Sequence, residues 1–289
     1  MDKMGAITIP QRYNYIAAFL TLACDLKCGY CINNFGLSPG HGRHLTGHEW
    51  VAGLNRIEGR DDLPVTLQGG EPSLHKDFIY IINNLRPEIR IDILTNLRFD
   101  AKELIDSVDP GRLKRAAPYA SIRVSYHPGQ MDLKPLAEKV IKLQEAGFSI
   151  GVWGVAHPSL EAHIMEAQAY CRGLGIDFRI KEFLGEYEGR MYGTYRFEGA
   201  CSKKTERSIL CKTTELIIGP DGNLHRCHSD LYEGRSGIGN ITDPCYELTD
   251  EWRRCDHFGR CNPCDVKVKT DRFQVSGHTS VEIKELNNI

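Results

Sequence analysis

Tyr15–Cys31, YIAAFLTLACDLKCGYC, runs a short apolar segment directly into three cysteines at positions 24, 28 and 31. Ile16 to Leu22 reads as a first strand, so the thiols emerge at the end of a strand. Further along, Val65–Gln68, Ile89–Thr95, Ser121–Tyr126, Ser149–Ala156 and Asp177–Phe183 are also short β-branched or apolar runs. Amphipathic segments of helical length separate them, near Gly47–Ile57, Lys76–Leu85, Ala101–Val108, Leu133–Ala146 and Ser159–Leu174, with Gly147 as a natural stop after the fourth. This alternation is that of βα units around a parallel sheet. Six units are too few for a closed eightfold barrel, so the expected fold is α/β, a partial (βα)6 barrel with its chemistry at the carboxyl ends of the strands.

The chain has 289 residues, 41% hydrophobic and 26% charged, which excludes disorder and fibrous folds. Lys+Arg 36 against Asp+Glu 38 gives a formal charge of -2, so no global positive field draws in nucleic acid or an anionic membrane. The longest apolar stretch, Tyr15–Cys24, is shorter than the roughly 18–20 residues that span a bilayer, and it lacks the flanks of a secretory signal. A cytoplasmic location is expected. Eleven cysteines are an odd number and too sparse for a disulfide scaffold. Three sit at 24, 28 and 31, seven between Cys201 and Cys264, and Cys171 stands alone; such clustering favours metal or iron-sulfur ligation.

Three thiolates cannot complete a 4Fe-4S cube, which leaves one iron open to a substrate or cofactor. The residues alone also admit a zinc knuckle completed by His41, His44 or His48. The cysteine spacing, the aromatic Tyr30 before the last cysteine and the position after strand one resemble the signature of the radical S-adenosylmethionine (radical SAM) enzymes. Thr66-Leu-Gln-Gly-Gly-Glu-Pro72, at the end of strand two, is similar to that family's GGEP motif. Gly69 and Gly70 let backbone approach a ligand closely, and Glu71 is an acceptor for an ammonium such as that of a methionyl group. Asn96, after Thr95, and Ser125 lie where the family places polar groups against the cofactor. Gly151-Val-Trp-Gly154 matches the adenine-binding segment only in part. The resemblance covers residues 15–184.

After Gly185 the pattern changes. GEYEGRMYGTYRFEG reads as a linker or lid, to which Met191, Tyr192 and Tyr195 belong, and Glu215–Ile218 and Leu224–Cys227 flank a Pro220–Asn223 turn. Cys211, Gly222 and Cys227 resemble the opening of the auxiliary-cluster domains called SPASM and twitch, the shorter twitch form matching better. With Cys261 and Cys264 they supply four thiolates, enough for one fully ligated 4Fe-4S cluster. The same four suit a zinc ribbon, and Cys255 is able to replace one of them. The expected organisation is an extension over 1–14, the barrel over 15–184, a linker over 185–210, a small β-hairpin/helix auxiliary-cluster domain over 211–268 and a tail over 269–289.

The resemblance implies S-adenosylmethionine and two 4Fe-4S clusters as cofactors and a flavodoxin- or ferredoxin-type electron donor. It also implies hydrogen abstraction from a small polar substrate: a sugar, an aminocyclitol or a nucleotide-derived molecule. The leading expectation is a two-electron oxidation assisted by the second cluster. Epimerisation with a cysteine hydrogen donor, from Cys201, Cys245 or Cys255, and peptide modification are alternatives. Peptide modification is disfavoured because only 23 residues precede Cys24, too few for a leader-binding module. A non-enzymatic iron-sulfur or zinc protein leaves the GGEP segment unexplained. His127 and Cys255 are the catalytic candidates, and Arg179 and Lys181, alternating on strand six, suit an anionic group. A Walker loop, a GxSxG elbow and an HExxH site are all absent from the sequence.

Overall fold

The computed structural model describes residues 5–34, 43–203, 206–270 and 276–286, and its first strand, β1 (Tyr15–Thr21), has six of seven residues buried. Strands β2 (Val65–Gly69), β3 (Ile91–Thr95), β4 (Ile122–Tyr126), β5 (Ile150–Ala156) and β6 (Phe178–Glu182) follow it side by side, all parallel. The crossovers carry α1 (Gly47–Leu54), α2 (Phe78–Asn84), α3 (Ala101–Ser107), α4 (Leu133–Glu145) and α5 (Glu161–Gly173). Each helix lies where the amphipathic pattern put it, and the local chemistry explains the ends. Thr46 and Glu49 form a reciprocal capping box at α1, Asp100 accepts from Lys102 N at α3, and Gly147 sits at φ +91° after α4. The buried stripe Leu136, Ala137, Val140 and Leu143 turns α4 onto the sheet.

Beyond β6, residues 185–192, read from sequence as irregular, contain a small hairpin of β7 (Gly185–Tyr187) and β8 (Arg190–Tyr192). Next come β9 (Arg207–Thr213), β10 (Glu215–Ile218), β11 (Asn223–His225), α6 (His228–Tyr232), β12 (Gly239–Asn240), β13 (Arg253–Phe258) and α7 (Pro263–Val266). The Pro220–Asn223 turn forms, with Gly222 at φ +83°, but its second strand ends at His225, and Cys227 precedes α6.

The hairpin does not stand apart from the barrel. All four residues of β10 are buried, and it pairs in parallel with β1, Tyr15 opposite Glu215, giving the order β12-β11-β10-β1-β2-β3-β4-β5-β6. The edge of so deeply buried a strand needs partners for its backbone groups, and β10 supplies them. The sheet therefore continues across the boundary expected near residue 211. A separate antiparallel sheet joins β13, β9 and β16 (Val281–Glu285), beside the pair β14 (Lys269–Thr270) and β15 (Ser276–His278). Among the described residues no helix is long and apolar enough to cross a membrane.

Candidate active site

The carboxyl ends of the parallel strands open into a cavity of about 820 Å³. Cys24, Cys28 and Cys31 line one part of it, Glu71, Asn96, Ser125 and His127 the strand ends, and Arg123, Arg179 and Lys181 the inner wall. Cys264, Lys267 and Lys269 reach the same space from the C-terminal segment.

The cysteine loop is held from three strands. Asn33 Nδ2 donates to Gly69 O (2.8 Å) after β2, and Asn96 Nδ2 donates to Asp25 Oδ1 (2.6 Å) after β3. Arg98 adds an ion pair with Asp25 at 3.3 Å. From beyond β4, Gln130 Oε1 accepts from Lys27 N (3.2 Å), and His127 Nδ1 lies 2.9 Å from the Tyr30 hydroxyl. The Tyr30 ring also packs on His157, with centroids 5.2 Å apart. Burial and the proximity of Cys31 and Cys24 push the Cys28 thiol up to about 12, and burial raises Cys24 as well. Thiols so placed keep thiolate charge only against a bound cation, as a cluster's ligands do, and their convergence on one cavity fits that use.

A zinc knuckle finds less support. His41 lies outside the described residues, the His48 ring packs on Tyr80 at 4.7 Å, and neither His44 nor His48 is among the described residues lining the cavity. Among the described residues no three His, Cys, Asp or Glu side chains are gathered as a single ion requires. A cubane does not ask its cysteines to meet at one point, because each iron that is ligated by cysteine takes its own thiolate.

The glycine pair lines the cavity and also answers to a packing need that the sequence did not suggest. A Cβ at Gly69 would stand 2.0 Å from Thr21 O, and one at Gly70 would stand 2.0 Å from Ala23 O. Their bareness lets β2 close on the chain entering the cysteine loop, where Gly70 N and Glu71 N donate to Thr21 O and Ala23 O (2.9 and 2.8 Å). Similarly, a Cβ at Gly154 would meet Ile164 Cδ1 at 2.8 Å, so that glycine serves the packing of α5 on β5.

Glu71, only 1% exposed, is a clasp. Its Oε1 accepts from Ser73 N (3.1 Å), Ser73 Oγ (2.7 Å) and Thr95 Oγ1 (2.7 Å), and its Oε2 from Asn96 N (2.7 Å). Burial pushes the carboxyl pKa up despite these bonds. Oε2 keeps room for one further donor. Asn96 is already committed to Asp25 and to Arg98 N (3.0 Å), whereas Ser125 faces the cavity with no hydrogen bond among the described residues. Burial and nearby Lys181 hold His127 down to about 4, so its ring is neutral beside Tyr30.

The inner wall is basic. Asp92, fully buried, pairs with Arg115 (3.0 Å) and Arg123 (3.3 Å). Lys269 pairs with Glu215 at 2.6 Å, and Lys267 lies 3.5 Å from Glu182. Among the described residues no carboxylate pairs with Lys181; the side chain is exposed and lines the cavity, where its surroundings, Arg123 and Lys267 push its ammonium down to about 7. Sequence reasoning named Arg179 and Lys181 but missed Lys267 and Lys269, although Lys267-Val-Lys269 shows the same alternation. It also missed His228, whose Nδ1 lies 2.7 Å from Asp265 Oδ1. Burial works against charge on His228, but Cys264 and Asp265 raise it to about 9.

The C-terminal cysteines divide. Cys211 and Cys255 pack together with Cys201, Cys227 and Cys261 around Ile209, Val266 and Val281. The Cys211 and Cys255 thiols share a hydrogen bond that raises the first and lowers the second. Cys264, placed with Cys211, Cys227 and Cys261 by the sequence reading, also lines the cavity, and Cys255, considered there as a hydrogen donor and as a replacement ligand, lies against Cys211. Cys245 is exposed, and Cys171 is buried in the barrel core.

The sequence model of the radical SAM superfamily matches residues 19–152. The chain is 38% identical over 241 residues to the GTP 3',8-cyclase of Shewanella denitrificans, an alignment covering 79% of this chain and 70% of that protein. SuiB of Streptococcus suis superposes with a TM-score of 0.52 at 14% identity, over 81% of this chain and 64% of its own. The structure of anSMEcpe with bound AdoMet and Cp18Cys peptide gives 0.52 at 15% identity, over 79% and 77%. At such identities the two structures speak to the fold alone.

Proposed function

The chain belongs to the radical SAM superfamily, and from that premise we propose that it modifies an anionic, nucleotide-type substrate held in the barrel cavity. The observation that carries this reading is the continuity of one cavity from the three-cysteine loop to a wall of Arg123, Arg179, Lys181, Lys267 and Lys269. Lys181 has no carboxylate partner among the described residues, which makes it a natural ligand for phosphate.

In this reading Cys24, Cys28 and Cys31 hold a 4Fe-4S cluster with S-adenosylmethionine beside it. When bound, the pair supplies the radical chemistry that takes hydrogen from an unactivated C-H bond. Glu71 Oε2 and Ser125 accept the cofactor's polar groups, with Gly69 and Gly70 setting the approach of β2. Tyr30 and His127 keep the cysteine loop in register with β4. The basic wall orients the substrate so that its reactive carbon faces the loop. The two-electron oxidation expected from sequence gives way to a radical cyclisation or related rearrangement, as the name of the Shewanella relative suggests.

A second 4Fe-4S cluster is assigned to the C-terminal cysteines, and the packing favours Cys211, Cys227, Cys255 and Cys261 as its ligands. A flavodoxin- or ferredoxin-type protein would supply electrons. The test is anaerobic incubation of reconstituted protein with S-adenosylmethionine, reductant and GTP deuterated on the ribose. GTP-stimulated release of deoxyadenosine carrying deuterium is expected. Stimulation by a peptide or a neutral sugar, and not by any nucleotide, would replace this reading.

A further inference from the structure

The turn that follows β3 is strained, and the reading above gives that strain no purpose. Leu97 sits at φ +57°, a left-handed conformation costly for a side chain of its size, while that side chain is buried in the barrel core at 1% exposure. Such a conformation persists where its surroundings over-determine it. One restraint is local: Leu97 N donates to Thr95 Oγ1 at 2.9 Å. The other comes from a different element, because Lys139 of α4 sends its ammonium to Leu97 O (3.3 Å), Arg98 O (3.3 Å) and Phe99 O (2.9 Å). An ammonium has three donors, and here three successive carbonyls take them.

What leaves the turn on either side shows its use. Asn96, before Leu97, donates from Nδ2 to Asp25 Oδ1 (2.6 Å) and from its backbone N to Glu71 Oε2 (2.7 Å). Arg98, after it, donates from Nη1 to Asp25 O (3.0 Å) and pairs through Nε with Asp25 Oδ2 at 3.3 Å. The two flanking residues are themselves tied, Arg98 N donating to Asn96 Oδ1 at 3.0 Å. Both therefore grip the residue next to Cys24. Without the ammonium, three neighbouring carbonyls lose their shared counter-charge, and relaxation of Leu97 rotates Arg98 relative to Asn96, so that the two no longer meet Asp25 together.

We propose that Lys139, on the crossover helix α4, is a positioning residue for the cysteine loop, acting through the Leu97 turn and the grip of Asn96 and Arg98 on Asp25. The inference rests on Cys24, Cys28 and Cys31 holding the cluster, and it is independent of which substrate the cavity takes. Lys139 then governs how well the loop and Glu71 are aligned for S-adenosylmethionine, from outside the cavity.

The test measures binding of S-adenosylmethionine to the cluster-loaded protein by anaerobic equilibrium dialysis, without reductant, with iron content and melting temperature followed in parallel. Lys139→Met keeps the reach of the side chain but not its ammonium, and should weaken binding by about fivefold or more. Lys139→Arg, which still donates to the carbonyls, should bind within about twofold of wild type. Arg98→Met should weaken binding as well, and the double variant Lys139→Met/Arg98→Met should lose little beyond the weaker single one, because both residues act along one chain of contacts. Unchanged binding by Lys139→Met, whatever its melting temperature, or losses that multiply in the double variant, overturns the inference and leaves the cluster assignment standing. Should Lys139→Met fail to fold, Lys139→Gln decides: a neutral donor should give an intermediate loss, and wild-type affinity overturns the inference. A wild-type protein whose cysteine loop assembles no cluster, or binds no S-adenosylmethionine, overturns that assignment and this inference together.

Discussion

Glu71→Gln keeps the shape of the side chain and exchanges one carboxylate oxygen for an NH₂. Four donors point at that carboxylate: Ser73 N, Ser73 Oγ, Thr95 Oγ1 and Asn96 N. The hydroxyls can rotate, but the two backbone amides cannot. Whichever way the new amide turns, its NH₂ faces either Ser73 N or Asn96 N at a site 1% exposed. One buried donor left unmet costs about 1–3 kcal/mol, and the surviving bonds lose their charge assistance, roughly another 1 kcal/mol. Burial opposes the charge here, so neutralising the group offsets part of this. A net loss of about 2–3 kcal/mol follows, which for a chain of this size lowers Tm by roughly 4–8 °C. The assay is thermal unfolding of the cofactor-free protein by circular dichroism, with Glu71→Ala as the larger disruption. If Glu71→Gln melts within about 1 °C of wild type while cofactor affinity falls, the side chain serves the cofactor and the clasp argument is wrong.

Replacing Cys24, Cys28 and Cys31 together by alanine should abolish reductive cleavage of S-adenosylmethionine and leave about four irons per chain, one cubane, by chemical analysis. In that background Cys255→Ala should lose the remaining iron and Cys264→Ala should keep it; the opposite result returns Cys264 to the ligand set. Lys181, held near 7, is mostly neutral at pH 8 in the free protein, and bound phosphate should return it toward its ordinary 10.5. GTP binding at pH 8 should therefore take up close to one proton, read from calorimetry in buffers of different ionisation enthalpy, and Lys181→Met should abolish the uptake.

Much of the barrel was legible because its signals are local. Apolar runs of strand length, helical stripes such as Leu136 to Leu143 and stops such as Gly147 each depend on a few neighbouring residues, and every one of the six βα strands lies within two residues of its expected place. The Cys24–Cys31 loop and the GGEP segment were legible for the same reason: their spacing is short and the strand before each decides where it points. Pairing across long separations carries no such signal. Nothing in Glu215–Ile218 announces that it will close the edge of β1, which depends on how the chain returns after Thr213. The glycine pair likewise read only as a close approach to a ligand, and the approach of Thr21 and Ala23 shows that it also lets backbone meet backbone. Cys255 and Cys264 illustrate the limit most plainly: nine residues apart, equally plausible as ligands, they are separated by the direction each side chain takes from β13 and α7, one toward Cys211 and the other into the cavity. Sequence alone thus determined the βα elements of the barrel and the residues able to carry its chemistry, whereas tertiary packing decided the short strands after β6 and which residues share a space, because these depend on contacts between segments as far apart as β1 and α7.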